Sequence, residues 1–258
     1  KYYLYFAHHQ GQFIRMAFAD DLHGPWKCRE GGVLGLGDTM FEHHIASPDV
    51  HLDEESRQIV MYFHGVMPRG STDFAGQRTA VAVSEDGLVF RQFGSASIGP
   101  FYFRVFRYKG AVYAVAKTTL QDGGGELLSS RDGFSPFTKI KDIIPFMRHA
   151  AVILNDDRFV IFYSRCEDRP ERILCSEIML NGDPANWMVS EPIDVLSPHE
   201  IYEGGELPLE KSQFGAVHEA VRQLRDPAVY RENGRIYLVY SCAGEQGIAA
   251  CEIKDLFS

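Results

Sequence analysis

The sequence predicts an all-β fold, a five-bladed β-propeller, from its composition and from one repeated strand. Its 258 residues include 24 Gly, 12 Pro, 12 Tyr and 18 Phe, which favours many short strands joined by turns over long helices. The strand, rich in aromatic and β-branched residues, recurs with equivalent positions at Phe6, Phe63, Ala116, Tyr163 and Tyr240. The steps between these positions are 57, 53, 47 and 77 residues. Each step is close to one four-stranded blade, with one long insertion.

The neighbours of the repeated strand support this interpretation. A second strand follows each copy, and Asp86-Gly87 and Asp132-Gly133 are strong hairpin-turn signals. Four of the five copies are also preceded by a strand. The first copy is not, so we expect the first blade to lack its N-terminal inner strand. Because inner strands line the channel of a propeller, we expect an axial pocket in a single domain spanning residues 1–258.

Other architectures explain the pattern less well. A two-sheet sandwich does not produce a five-fold period near fifty residues. An alternation of strands and helices would need helical stretches, and no window of a dozen residues has a clean 3.6-residue apolar period.

Charge and cysteine usage limit the partners. The net charge of −9 argues against a surface that coats nucleic acid or anionic lipid. Apolar runs such as residues 236–240 are far too short to cross a bilayer. We therefore expect no nucleic-acid or membrane partner, and the oligomeric state stays open.

Five cysteines without a Cys-x-x-Cys pair predict buried free thiols. These thiols and the lack of a visible signal peptide favour the cytoplasm, although the chain opens at Lys1 without a Met, as if an upstream piece were absent.

Short motifs give the sequence a family resemblance. They are two strand openings and two outer turns, each turn followed by a Phe: Ala46-Ser-Pro-Asp-Val50, Arg225-Asp-Pro227, Ser84-Glu-Asp-Gly87 with Phe90, and Ser130-Arg-Asp-Gly133 with Phe134. With these motifs the chain resembles the five-bladed β-propeller glycosidases, a superfamily that includes arabinanases, β-xylosidases, invertases and the related mannoside phosphorylases. At the level of architecture the resemblance covers nearly the whole chain.

The resemblance implies carboxylates that project from different blades into one axial pocket. One group must protonate the leaving oxygen, while another activates water or attacks the anomeric carbon. The matching positions are Asp49 and Asp226, with Glu203 as the candidate acid, and the usual base would come from the missing first strand. Each has a structural alternative: an Asx turn for Asp49, a salt bridge to Arg225 for Asp226, and a solvated loop charge for Glu203.

Basic residues collect near the same strand starts. The candidate substrate-binding residues are His44, His51, His64, Arg104, Arg148 and Arg225. Since a guanidinium matches a carboxylate or phosphate with two parallel hydrogen bonds, this group points to an anionic sugar or to phosphate. The alternative is that the arginines neutralise carboxylates of the same channel. His149, aligned with Asp226 when Val152 is matched to Val229, is a candidate acid-base residue.

The charged loop of residues 164–172 is interpreted as either a solvated turn or a gate for substrate. No fixed-spacing metal motif is present, so no cofactor is required. A divalent ion in the axial channel stays open, with its ligands unknown.

The function predicted from these features is that of a glycoside hydrolase acting on a neutral or anionic oligosaccharide. Two alternatives remain. One is a phosphorylase with an Arg/His phosphate site, and the other is a non-catalytic propeller that binds carbohydrate or protein.

Overall fold

The computed structural model describes residues 1–8, 11–54, 56–70, 76–118 and 123–254. Within these ranges, nineteen strands form five antiparallel sheets that follow one another along the chain. Each sheet contains one copy of the repeated strand. The prediction of an all-β, five-bladed β-propeller is confirmed.

The first two sheets lie in the N-terminal part. Sheet one begins with its repeated strand and contains β1 (Tyr2–Phe6), β2 (Phe13–Ala19), β3 (Lys27–Cys28) and β4 (Leu34–Gly35), with β3 and β4 both paired to β2. Sheet two runs in the order β5 (Glu42–Asp53), β6 (Gln58–Val66), β7 (Gln77–Ser84) and β8 (Arg91–Phe93). In both sheets the strand rich in aromatic residues pairs with the strand that follows it.

The remaining sheets repeat this order. Sheet three contains β9 (Arg104–Tyr108), β10 (Ala111–Lys117), β11 (Gly124–Ser130) and β12 (Thr138–Pro145). Sheet four contains β13 (Met147–Asn155), β14 (Arg158–Arg165), β15 (Ile173–Met179) and β16 (Ile193–Leu196). Sheet five has three strands: β17 (Arg225–Glu232), β18 (Arg235–Cys242) and β19 (Gly247–Ile253).

Helical structure in the described ranges is confined to three 3₁₀ turns, Leu36–Asp38, Pro184–Asn186 and Ile201–Glu203. No helix there has the length and apolar character that a membrane span requires. All five cysteines are free thiols. Cys166, Cys175 and Cys242 are buried, but Cys28 is exposed, so the prediction of a buried thiol is wrong for Cys28.

The chain forms two compact units, each with its own core. The first unit is Lys1–Ala114 with Ser129–Thr138, and the second is Val115–Leu128 with Lys139–Ser258. In the first, β2, β5 and β6 bury apolar residues that include Ile14, Met16, Ile45, Met61 and Phe63. In the second, β13, β14 and β18 do the same with Ala151, Val160, Phe162, Leu238 and Tyr240. Whether residues 1–258 behave as a single domain stays a prediction.

The inner strands of sheets two, four and five are interrupted by β-bulges. Each bulge adds one residue, between Ala46 and Asp49, between Met147 and His149, and between Arg225 and Ala228. In β5 and β17 the bulge holds a proline, which has no N–H to donate to the ladder. Bulges are frequent beside active sites because they redirect side chains. They occur here next to three predicted site residues, Asp49, His149 and Asp226.

Candidate active site

Asp226 and His149 face each other in the second unit, at the starts of β17 and β13. Asp226 Oδ1 lies 2.9 Å from His149 Nδ1. Asp226 Oδ2 accepts a hydrogen bond from Ser241 Oγ at 2.9 Å. The Asp226 side chain is 38% exposed and that of His149 is 6% exposed. The carboxylate is therefore the accessible member of the pair, and His149 contacts it from the interior.

The surroundings fix the charge of both groups. Burial by itself would raise the pKa of Asp226, but His149, the Ser241 hydrogen bond and the Arg148 charge together hold it well below its usual range. Burial lowers the pKa of His149 to about 4, against the opposing influence of Asp226. At neutral pH, Asp226 is ionised and His149 is uncharged.

The strand register corrects the predicted alignment of His149 with Asp226. His149 pairs with Ser164, and Arg225 pairs with Ser241, which is the equivalent serine of the next blade. His149 therefore matches Arg225. The bulge at Asp226 adds one residue to β17, and this residue shifts every position before it.

Arg148 and Arg225 are buried around one carboxylate, that of Glu171, which is itself fully buried. Glu171 Oε1 lies 3.6 Å from Arg148 Nε, and Oε2 lies 3.1 Å from Arg225 Nε. The hydroxyl groups of Ser164 and Ser212 donate to the same two oxygens at 2.7 and 2.5 Å. In this Arg–Glu–Arg triad the arginines neutralise a carboxylate, as in the alternative interpretation, but Glu171 belongs to the loop between β14 and β15 and not to an inner strand.

The Nη groups of the two arginines donate hydrogen bonds to protein acceptors. Arg148 Nη1 donates to Cys166 Sγ at 3.2 Å and to the Gln213 carbonyl at 2.5 Å, and Arg148 Nη2 donates to a further carbonyl described below. Arg225 Nη1 donates to Glu245 Oε1 at 2.8 Å, and Arg225 Nη2 donates to Gln223 Oε1 at 2.5 Å. With both guanidinium groups buried and committed to protein acceptors, their predicted contact with substrate stays a prediction that this geometry does not favour.

Glu203 lies in the long insertion and is 2% exposed. Its Oε2 accepts hydrogen bonds from the backbone N–H groups of His199 and Glu200 at 2.9 and 3.1 Å. Its Oε1 accepts one from the Tyr240 hydroxyl at 2.7 Å. The carboxylate thus caps a 3₁₀ turn and ties it to β18, so it is not a solvated loop charge. A role as the acid stays a prediction, and it would require Glu203 to break these bonds.

Asp49, His51 and Arg104 come together in the first unit. Asp49 Oδ2 lies 2.8 Å from His51 Nε2, and it accepts a hydrogen bond from the Val105 backbone N–H at 2.8 Å. Burial would raise the pKa of Asp49, but His51, Arg104 and the Val105 N–H lower it. Burial opposes charge on His51, yet Asp49 raises its pKa. Both shifts favour the charged forms of the two side chains. The hydrogen bond from the Val105 N–H to Asp49 links β5 to β9.

His44 and His64 lie together in an aromatic cluster of the first unit. His44 Nε2 is 3.1 Å from Gln77 Oε1. The two imidazole rings are 6.2 Å apart, and the His64 ring lies 4.6 Å from that of Tyr102. His64 is 1% exposed. The structure thus gives His64 a place in the core, and the substrate-binding roles of both histidines stay predictions.

Lys117 and Glu171 belong to the second-unit site, and sequence reasoning did not select them. Lys117 ends β10, and burial followed by the Arg148 charge lowers its pKa to about 8. A signal for Lys117 was present, because in four of the five copies the position after the repeat's equivalent residue is polar: His64, Lys117, Ser164 and Ser241, with Ala7 as the exception. Glu171 had no such signal, since it lies in a loop crowded with other charges.

The described residues contain no group of three or more His, Cys, Asp or Glu side chains placed to hold a metal ion. The divalent ion considered from the sequence therefore gains no ligand set in those ranges. The chemistry that the second unit offers is that of an accessible, ionised carboxylate, Asp226, within electrostatic range of Lys117.

Comparison with solved structures supports the fold. An endo-1,4-β-xylanase from Bacteroides thetaiotaomicron superposes with a TM-score of 0.69 at 14% identity, over 96% of this chain and 84% of the other. A family 43 β-xylosidase/α-arabinofuranosidase from a compost metagenome, solved with xylotriose, gives a TM-score of 0.64 at 15% identity, over 94% and 80% of the two chains. These similarities establish a shared fold, that of the five-bladed propeller glycosidases.

Sequence comparison identifies a nearer relative. No model of a known protein family matches the sequence. The uncharacterized protein R118 of Acanthamoeba polyphaga mimivirus is 32% identical over 280 residues, which cover 98% of this chain and 76% of R118. The chain therefore belongs to the same family as mimivirus R118.

Proposed function

We propose that this protein is a carbohydrate-active enzyme that hydrolyses a glycosidic bond of an oligosaccharide. The observation that carries the proposal is Asp226: an ionised, partly exposed carboxylate at a β-bulge of an inner strand, in a fold shared with xylanases and xylosidases. This carboxylate would either stabilise the positive charge that develops at the anomeric carbon or attack that carbon as a nucleophile. His149 is a positioning residue that fixes the direction of this carboxylate.

Hydrolysis also needs a proton donor for the leaving oxygen. Glu203, the donor expected from the sequence, accepts hydrogen bonds from protein groups at both of its carboxylate oxygens. We assign this role to Lys117, because it is half-buried, it interacts electrostatically with Asp226, and its pKa is lowered to about 8. At neutral pH it is still mostly protonated, and it gives up its proton more readily than an ordinary lysine.

The phosphorylase alternative is less favoured. It would need cationic groups that can bind phosphate, whereas Arg148 and Arg225 already share Glu171. The three nearby cations, Lys117 and the two arginines, are also matched by three carboxylates: Glu171, Asp226 and Glu245. A neutral sugar fits this balance better than an anion.

The experiment combines two substrates with two variants. Turnover is measured on a panel of neutral and acidic oligosaccharides, and on 2,4-dinitrophenyl glycosides, whose leaving group needs no proton. Asp226→Asn is expected to reduce kcat/KM by at least about 10³-fold on both, since it removes the charge that stabilises the transition state. Lys117→Met is expected to lose activity on oligosaccharides only, because just these substrates need a proton donor.

Asp194→Asn is the matched control. Asp194 is an exposed carboxylate of β16, the edge strand of sheet four, and it pairs with Arg172. The proposal fails if the wild-type protein turns over no substrate of the panel, or if Asp226→Asn is no worse than the control. Equal losses of the Lys117 variant on both substrate types would remove only the role assigned to Lys117.

A further inference from the structure

A strap of residues 208–216 lies beside the triad in the second unit. All its residues are exposed except Ser212, which is fully buried. Ser212 N donates to the Asp168 carbonyl at 2.9 Å, and Glu167 N donates to the Ser212 carbonyl at 3.2 Å. The strap is therefore paired with the charged loop 164–172. This loop is not a purely solvated turn, and its role as a gate for substrate stays a prediction.

The buried triad holds the middle of the strap by its backbone. Arg148 Nη1 donates to the Gln213 carbonyl at 2.5 Å, and Arg148 Nη2 donates to the Gly215 carbonyl. Ser212 adds its hydrogen bond to Glu171. The Arg148 guanidinium thus binds the carbonyl groups on both sides of Phe214, and Arg225 Nη1 adds a longer hydrogen bond to the Gly215 carbonyl at 3.5 Å. The backbone of Phe214 is fixed by charge-assisted hydrogen bonds, which are stronger than neutral ones.

The Phe214 ring is nevertheless exposed, with 41% of the residue accessible to solvent. Lys117 Nζ lies 5.2 Å from the ring centroid, within cation–π distance. The ring edge rests against Gly123, where an added Cβ would lie 2.5 Å from Phe214 Cε1 and Cζ. Through Lys117, the ring is next to the group that interacts with Asp226.

Phe214 therefore combines a fixed backbone with an exposed ring. A loop that merely connects two strands gains nothing from an apolar ring in water, and it needs no buried arginine to fix that ring. A binding site gains from such an arrangement, because a preorganised aromatic ring offers an apolar surface without a further entropic cost on binding. The apolar C–H face of a sugar ring is a suitable occupant for such a surface beside polar groups.

We propose that Phe214 is the platform on which a sugar ring of the substrate stacks, and that Arg148 is the positioning residue that holds it in place. The inference deepens the proposed function and rests on it for the identity of the ligand. It assigns to the strap a direct contact with substrate, and to Arg148 a role other than the anion contact that the sequence suggested.

Binding is measured by isothermal titration of the oligosaccharide panel into the Asp226→Asn protein, which keeps the sugar intact. Phe214→Ala is expected to weaken binding about tenfold, while Phe214→Trp retains it. In the active enzyme, Phe214→Ala should raise KM by a similar factor with little change in kcat on 2,4-dinitrophenyl glycosides, which need no proton from Lys117, because stacking is equal in the ground and transition states. Tyr230→Ala, an aromatic residue of β17 with 37% exposure, is the matched control.

Arg148→Lys tests the positioning role. A lysine keeps the charge but cannot clamp two carbonyl groups as a planar guanidinium does. We expect it to weaken sugar binding when Phe214 is present and to have no further effect in the Phe214→Ala background. A merely structural role would weaken binding equally in both backgrounds.

The outcomes separate this inference from the proposed function. If Phe214→Ala and Tyr230→Ala both bind sugar as tightly as the Asp226→Asn protein, the stacking role of Phe214 is overturned. The hydrolase proposal is not affected by this result. If binding depends on Phe214 but the wild-type protein hydrolyses nothing, the platform stands and the hydrolase proposal falls. If the parent protein binds no sugar of the panel, both are overturned.

Discussion

Glu171 is the residue whose replacement should cost the most stability in the second unit. Its carboxylate is fully buried between two guanidinium groups whose side chains are at most 3% exposed. Glu171→Gln keeps the shape and removes the charge. Both arginines then remain buried without their shared counter-ion, although Arg225 keeps its contact with Glu245.

The distances set the size of the effect. At an effective dielectric constant of about 20, unit charges separated by the 3.6 and 3.1 Å found here attract by about 5 kcal/mol each. Desolvation of the three groups offsets much of this attraction in the native protein. Removal of the central charge leaves the desolvation of both arginines uncompensated. We therefore expect the free energy of unfolding to fall by about 3–5 kcal/mol.

The two tryptophans allow this loss to be assigned to one unit. Trp187 is buried in the second unit, and Trp26 is in the first. In a Trp26→Phe background, urea unfolding followed by fluorescence reports on Trp187 alone. The midpoint should fall with little change in slope, since the surface exposed on unfolding is nearly the same.

Glu252→Gln provides the comparison. Glu252 makes a two-point ion pair with Arg235 at 2.8 and 2.7 Å, in the same unit but at the surface. Exposed pairs are screened by water and contribute little to stability. If Glu171→Gln were no more destabilising than Glu252→Gln, the triad would not be the electrostatic centre of this unit, and our account of Arg148 and Arg225 would be wrong.

Two further predictions concern pH and packing. Because His149 has a pKa of about 4 when folded and about 6.5 when unfolded, the unfolded state binds more protons between these values. The free energy of unfolding should then fall by up to about 3 kcal/mol as the pH drops from about 6.5 to 4. Urea midpoints measured across this pH range should change less in His149→Gln. An unchanged slope in the variant would refute the lowered pKa of His149. Gly65→Ala should cost about 1–3 kcal/mol in urea unfolding, since its Cβ would lie 2.4 Å from Phe41 Cγ. Gly37→Ala, with no atom within 4 Å, should change stability by less than about 0.5 kcal/mol, and equal losses in the two variants would contradict this reasoning.

The strands could be predicted because their signals are local. Aromatic and β-branched runs and Asp-Gly turns act over a few residues, and their regular spacing reflects one blade after another. The five equivalent positions Phe6, Phe63, Ala116, Tyr163 and Tyr240 accordingly fall in β1, β6, β10, β14 and β18. The strand register was harder to predict. A single bulged residue in β17 makes His149 equivalent to Arg225 and not to Asp226.

The candidate site was predicted in part. The sequence selected His149 and Asp226 because both lie at the starts of inner strands, but it did not predict their contact. The roles of Arg148 and Arg225 did not, because the sequence shows two cations without showing which carboxylate reaches them. Glu171 lies 41 residues before Ser212, and only the folded chain brings this loop and the strap together.

The sequence alone determined that the chain forms five β-sheets in succession, and that acidic and basic residues lie at the starts of their inner strands. Local propensity and spacing are sufficient for both. The tertiary structure decided which of these charges are buried with one another and which remain accessible. Burial and pairing depend on segments distant along the chain, so the exposure of Asp226, the capping role of Glu203 and the fixed position of Phe214 emerge only once the chain has folded.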